Sequence, residues 1–238
     1  MHQIICRMQI MYLLKIDSNI FNNSQSPIFT SDLICKVVFK MIIYLIRHSI
    51  TNLNCATTGY PAMCGSTQAH VTDKGIELAK KARLEYDFSG DLEKIKDIYC
   101  STLDRTLETT EAMFPDLIDR VSIHRCSAFD EIDFGDYETV PKNDLPKEIL
   151  NLWYESPENL TFPNGDNMKD RAVAGVEELI RLSEQAKEPF IVVSSSTVLR
   201  LMLTIIMKVP FCEFHEIPMD NCNIVKLDYK GNGDFAIV

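Results

Sequence analysis

No stretch of this 238-residue chain reaches the roughly 18 unbroken apolar residues that a membrane-spanning helix needs. Positive charge is scarce too. There are 24 Lys and Arg against 34 Asp and Glu, a formal net charge of −10. A surface this acidic argues against nucleic acid or an anionic membrane as the main partner, though it leaves room for a local basic pocket. The chain has no C-x-x-C pair, no H-E-x-x-H and no paired Cys/His knuckle, so a metal site has little support. It also lacks G-x-x-x-x-G-K-[ST], and G-x-G-x-x-G after a strand, which removes two common nucleotide cradles. Its eight cysteines are irregularly spaced in a chain too large to need a disulfide frame. Reduced thiols in a cytoplasmic protein are the expectation.

What is present is the make-up of a globular protein: 46% apolar and 24% charged residues. The first 40 residues differ from the rest. They contain no glycine and carry four basic residues against two acids, which leaves −12 on residues 41–238. The apolar run Ile4–Ile16 is broken by Arg7 and Lys15 and has no small-residue cleavage site, so it makes a poor signal peptide. Met41 then precedes a strong strand pattern. Residues 1–40 are read as an N-terminal extension upstream of a natural start at Met41, with an added element packed on the domain as the alternative, and residues 41–238 as one domain.

Beyond Met41 the pattern alternates. Apolar, β-branched runs of strand length occur at Ile42–Ile46, Ile98–Cys100, Phe190–Ser194 and Ile224–Leu227. Helical stripes lie between them: Ile76 to Tyr86, Met168 to Ile180, and Val198 to Met207. Ser101-Thr102-Leu103-Asp104 has the form of a capping box and predicts a helix starting just after Cys100. Strand–helix alternation predicts an α/β fold, a mostly parallel sheet covered on both faces.

In open α/β sheets, ligands gather beyond the carboxyl ends of the strands. Arg47-His48-Ser49 follows the first strand. Ser101 follows the second, with Arg105 one helical turn on. Ser194, Ser195, Ser196 and Thr197 follow the third. Guanidinium forks and helix N-termini suit phosphate oxygens, so this rim reads as a phosphate pocket.

These same residues carry a resemblance. Leu45-Ile46-Arg47-His48-Ser49-Ile50-Thr51, with Asn54 three further, resembles the L-I-R-H-G-E-T-x-x-N signature of the histidine phosphatase superfamily. In family order follow Val71-Thr72-Asp73-Lys74-Gly75, Ser101 to Thr109, and Asp130-Glu131-Ile132-Asp133-Phe134-Gly135-Asp136-Tyr137-Glu138. Pro163 to Asn167 and Ile191 to Ser194 complete the set. The resemblance implies a three-layer α/β/α sandwich like that of the phosphoglycerate mutases, over about Met41 to the C-terminus. It implies a phosphomonoester hydrolase acting on a small-molecule phosphate ester. His48 would accept the phosphoryl group, Arg47 and Arg105 would clamp it, and Glu131 would protonate the leaving group. Asn54, Ser195 and Ser196 would line the phosphate site. No cofactor or metal is implied.

The departures matter as much. The family's V-S-H-G-G-x-x-R reads here Val193-Ser194-Ser195-Ser196-Thr197-Val198-Leu199-Arg200, so Ser195 replaces the second catalytic histidine. A hydroxyl donates one neutral hydrogen bond and carries no charge, so slow turnover is expected, about 10²–10³ below a charge-assisted donor. The alternative is a degenerate member that binds a phosphate ester without useful catalysis. His70, His124 and His215 are expected to be ordinary surface or core residues, and Arg200 to make a structural ion pair. Substrate choice would lie in Cys55–His70 and Val140–Thr161.

Overall fold

A computed structural model describes residues 41–53 and 62–238. The proposed extension at residues 1–40 and the site candidate Asn54 lie outside the described residues.

The six strands are β1 (Met41–Arg47), β2 (Asp97–Cys100), β3 (Ser122–Arg125), β4 (Phe190–Ser194), β5 (Ile224–Gly231) and β6 (Asp234–Ile237). They form one sheet in the order β3-β2-β4-β1-β5-β6. β3, β2, β4 and β1 run parallel, and the β5–β6 hairpin continues the sheet antiparallel to β1. The mostly parallel sheet is therefore a mixed one.

The helices are α1 (Asp73–Glu85), α2 (Asp104–Met113), α3 (Lys147–Glu155), α4 (Met168–Gln185) and α5 (Ser196–Met207). Alternate strand residues serve the two faces. Ile43, Leu45 and Val192 pack with Val176, Leu179, Leu199 and Met202 of α4 and α5. Ile42, Tyr44, Ile46 and Val193 pack with Ala79 of α1 and Met113 of α2. Both faces are covered, which is why β1 and β4 read as continuous apolar runs rather than alternating ones. Truncating Leu45 or Val192 would leave a cavity and cost about 2–5 kcal/mol for the larger side chain. A third cluster sits to one side of the sheet. Ile132, Phe134, Trp153 and Phe162 gather there on Met168 and Ala172 of α4 and Leu201 of α5. It fixes the segment that carries Glu131.

The helix starts show how local chemistry aims the site. Thr72 caps α1 by accepting from Gly75 N at 3.1 Å, and Asn167 caps α4 through Lys169 N and Asp170 N. The capping box expected at Ser101 is not formed. α2 starts at Asp104 instead, with Leu103 as its cap residue. The Ser101 hydroxyl accepts from Leu103 N at 3.2 Å and pairs with Thr106 Oγ1 at 3.0 Å, holding a turn ahead of the helix. That three-residue delay carries the chain away from the strand end before Arg105 turns inward.

Candidate active site

The site stands at the carboxyl edge of the parallel strands. Arg47 is in register with Ser194, and His48 N donates to Ser194 O at 2.8 Å, carrying the β1–β4 ladder one residue further. Ser101 N donates to Val193 O from the other side of β4. The central strand thus brings the ends of β1 and β2 within reach of one another.

His48 is buried, and its Nδ1 lies 2.7 Å from the Ser49 carbonyl. A carbonyl oxygen can only accept, so Nδ1 carries the proton and Nε2 keeps its lone pair. Among the described residues Nε2 has no hydrogen-bond partner. Burial first, then the charges of Arg105 and Arg47, hold His48 well below the usual histidine range; the Ser49 carbonyl acts the other way. Its backbone is fixed too, because Asn221 Nδ2 donates to His48 O at 2.9 Å. Ser49 is locked by two contacts: its N–H donates to Thr109 Oγ1 and its hydroxyl to Gly75 O.

Arg105 is 1% exposed. Its Nη2 donates to Gly65 O at 2.7 Å and its Nη1 to Thr67 O at 2.9 Å. The remaining Nε–Nη2 edge faces the Ser195 hydroxyl. Arg47 is half-buried; its Nη1 donates to Met219 O at 2.7 Å, while its buried Nε has no partner. Arg83, Arg125, Arg171 and Arg181 each pair with a carboxylate within 4.0 Å. Among the described residues Arg47, Arg105 and Arg200 do not, nor does Arg120, which is exposed. For Arg200 this corrects the ion pair expected from sequence. Its Nε is buried without a partner, and burial pushes the guanidinium below its ordinary value, with Asp220 and Glu131 opposing the shift. Its helix turns it toward the polar rim, where α5 offers no acid at helical spacing. Guanidinium groups left without carboxylates around a neutral imidazole make a site short of negative charge.

Glu131 is buried, and its carboxylate closes the start of α5. Oε2 accepts from Thr197 N at 2.9 Å, and Oε1 accepts from Val198 N at 2.8 Å and from Ile132 N at 3.0 Å. Ser195 is the cap residue of α5, yet its side chain caps nothing. It faces Arg105, and Glu131 supplies the missing acceptor from a distant segment. Three of the four acceptor positions on Glu131 are thereby used, and one on Oε2 stays open. Ser196 opens α5, half-buried, and its hydroxyl has no hydrogen-bond partner among the described residues.

The structure therefore brings together His48, Arg47, Arg105, Glu131 and Ser195. The other described histidines are engaged elsewhere. His70 is exposed against Glu108, His124 lies against Asp97 and stacks on Tyr99, and His215 contacts Trp153 O. Sequence reasoning missed Asn221 and the carbonyls of Gly65, Thr67 and Met219. A backbone carbonyl is the same in every residue, so no sequence signal marks it. Among the described residues no group of three or more His, Cys, Asp or Glu could hold a metal ion, and no helix is long and apolar enough to cross a membrane.

Comparison with known proteins gives the family and the fold. The family model described as histidine phosphatase superfamily (branch 1) matches residues 43–238. An α-ribazole phosphatase from Shigella flexneri superposes with a TM-score of 0.68 at 22% identity, covering 83% of this chain and 95% of its own. A putative α-ribazole-5′-P phosphatase from Escherichia coli gives 0.67 at 24% identity, with 83% and 94% covered. A mycobacterial glucosyl-3-phosphoglycerate phosphatase gives 0.66 at 17% identity, with 83% and 97% covered. A search of curated sequences finds no match.

Proposed function

This chain belongs to the histidine phosphatase superfamily, and from that premise we propose that it is a phosphomonoester hydrolase working through a phosphohistidine at His48. The observation that carries the reading is the tautomer of His48. Nδ1 keeps its proton and donates that N–H to Ser49 O, so Nε2 presents a lone pair beside guanidinium groups that have no carboxylate partner. A neutral imidazole is the nucleophilic form, and the low-lying proton affinity of His48 keeps it neutral.

In the first step the Nε2 lone pair forms the N–P bond as the ester P–O bond breaks. A proton on the open Oε2 position of Glu131 passes to the departing alkoxide oxygen. In the second step water attacks phosphorus, gives its proton to Glu131 and breaks the N–P bond. Inorganic phosphate leaves and His48 is again neutral. The Nε–Nη2 edge of Arg105 is the bidentate edge suited to two phosphate oxygens, and Arg47 Nε supplies a further unpaired donor. Ser195 contributes a neutral hydroxyl at that edge, so the phosphoryl group gathers less positive charge than a protonated histidine would give, and turnover is slow. The substrate is a small phosphate ester. The five described cysteines are free thiols, which fits the cytoplasm.

A second reading has its own support. Ser195 already occupies the anion-binding edge of Arg105, and Glu131 serves as the cap of α5. A protein with that arrangement could bind a phosphate ester and turn it over negligibly. Hydrolysis of 4-nitrophenyl phosphate by the parent, His48→Ala and Ser195→His separates the two. The enzyme reading expects activity abolished by His48→Ala and raised about 10²–10³ by Ser195→His. If neither the parent nor Ser195→His exceeds His48→Ala, the enzyme reading is lost and the binding reading stands.

A further inference from the structure

We propose that Glu138 is a positioning residue that aims Arg105 at its anion through the loop 65–67, a role that rests on reading Arg105 as the phosphate clamp. Glu138 touches none of the reacting groups. Its carboxylate takes five donors, and four of them come from three consecutive loop residues. Oε1 accepts from Ser66 N at 2.8 Å and Phe134 N at 3.0 Å. Oε2 accepts from Gly65 N at 3.1 Å, Thr67 N at 3.2 Å and Thr67 Oγ1 at 2.5 Å.

The carbonyl side of the loop faces Arg105: Gly65 O belongs to the same peptide unit as Ser66 N, and Thr67 O to the unit that follows. Gly65 O and Thr67 O accept from its two terminal nitrogens at 2.7 and 2.9 Å. The loop is therefore clamped between an anion on its N–H side and a cation on its carbonyl side. The dipole of the Gly65–Ser66 peptide points from one to the other, so those two contacts strengthen each other. The loop has few other ways to sit. A Cβ on Gly65 would fall 1.9 Å from Ile132 O and 2.3 Å from Glu138 Oε1, so backbone and carboxylate approach as only glycine allows. Met63 is paired on both sides with the segment that follows Glu138, through Met63 N to Val140 O and Thr139 N to Met63 O.

The consequence concerns direction. A buried arginine with no carboxylate partner has these two carbonyls, with the more distant Ser195 hydroxyl and the Cys64 sulfur at 3.9 Å from Nη1, to set the plane of its guanidinium. That plane decides whether the Nε–Nη2 edge meets an oxyanion squarely. A displacement of the order of 1 Å in a clamp of this kind is worth about 10²-fold. Glutamine at 138 would keep the shape but present an N–H₂ to one set of N–H donors, so it cannot hold both ends of the loop.

The test is a double-mutant cycle read on orthophosphate affinity by calorimetry, with kcat/KM for 4-nitrophenyl phosphate measured alongside. Glu138→Gln is expected to weaken orthophosphate binding about 10-fold in the parent and less than about 2-fold in Arg105→Lys, because the single lysine nitrogen cannot span both carbonyls. Equal losses in the two backgrounds would reduce Glu138 to general structural support and overturn the proposal. If Glu138→Gln does not fold, Thr67→Val removes one donor and keeps the carboxylate. It should weaken orthophosphate about 3-fold, again only where Arg105 is present. Orthophosphate binding without turnover would remove the hydrolase reading and leave this one standing. A parent that binds no orthophosphate would overturn this one, since Arg105 would then have no anion to meet.

Discussion

Arg105 holds the Ser195 hydroxyl at 3.4 Å from Nε and 3.3 Å from Nη2, on the edge of the guanidinium that would otherwise grip two oxygens of one anion. Both contacts are long for N–H···O bonds, so a phosphate oxygen displaces little when it arrives. A charged donor at position 195 would add to the site, while Arg105 itself is already aimed.

Arg105→Lys should lower kcat/KM for an aryl phosphate by about 10². Lysine keeps the charge and loses the fork, and it leaves Gly65 O or Thr67 O without its donor. Steady-state kinetics check this. A loss under 3-fold would mean that charge alone, and not the planar fork, matters here.

Glu131→Gln should destabilise the fold by about 1–3 kcal/mol as well as slow turnover. The amide can accept at one end only, so Thr197 N or the Val198 and Ile132 N–H groups lose their acceptor in a buried place. Urea unfolding measures it. An unchanged midpoint would show that the start of α5 is not held by this carboxylate.

His48 should make stability fall on acidification. Its folded value lies well below the ordinary 6.5. Below pH 6.5 the unfolded chain binds a proton at this residue and the folded chain does not. The stabilisation is complete above pH 6.5 and is lost as pH drops toward the folded value, by at most about 1.4 kcal/mol per pH unit. Urea unfolding of the parent and His48→Asn at pH 7.5, 6.0 and 5.0 should give curves that diverge with acid. Parallel curves would mean that the folded protein takes up this proton normally.

Gly135→Ala should cost more than Gly90→Ala, although both glycines have positive φ, +53° and +75°. A Cβ at Gly90 meets nothing within 4 Å, so only backbone strain of about 1–2 kcal/mol applies. A Cβ at Gly135 would lie 2.0 Å from Pro163 O, and the turn that follows Glu131 would have to open. The expected loss exceeds about 3 kcal/mol, with activity falling alongside it. Thermal melting of the two variants side by side settles the order.

The elements that sequence made legible are the central ones. β1, β4 and α5 lie in the middle of the sheet or against it, so their apolar runs are dictated by burial. β3 and β6 stand at the two edges; β3 is largely exposed along Ser122–Arg125 and offers no apolar run to find. α3 is short, buries chiefly Trp153, and contacts a satellite cluster rather than the sheet. Arg200 was expected to pair because it lies inside a helix pattern, but its own helix carries no acid, and pairing depends on what the fold sets opposite it.

By itself the sequence determined the α/β alternation, and it placed Arg47 and His48 at a strand end and Arg105 one turn into a helix. Those features follow from residue type and spacing along one local segment. Tertiary structure decided the rest. Placing β4 between β1 and β2 is what lets His48 meet Ser194 and lets Ser195 meet Arg105, residues 90 apart in the chain. It also decided that Glu131 would cap a helix that its own first serine leaves uncapped, and that Glu138 would grip three amides of a distant loop. The partners in each case are backbone N–H and C=O groups, which every residue carries alike. Only the folded chain says which of them come together.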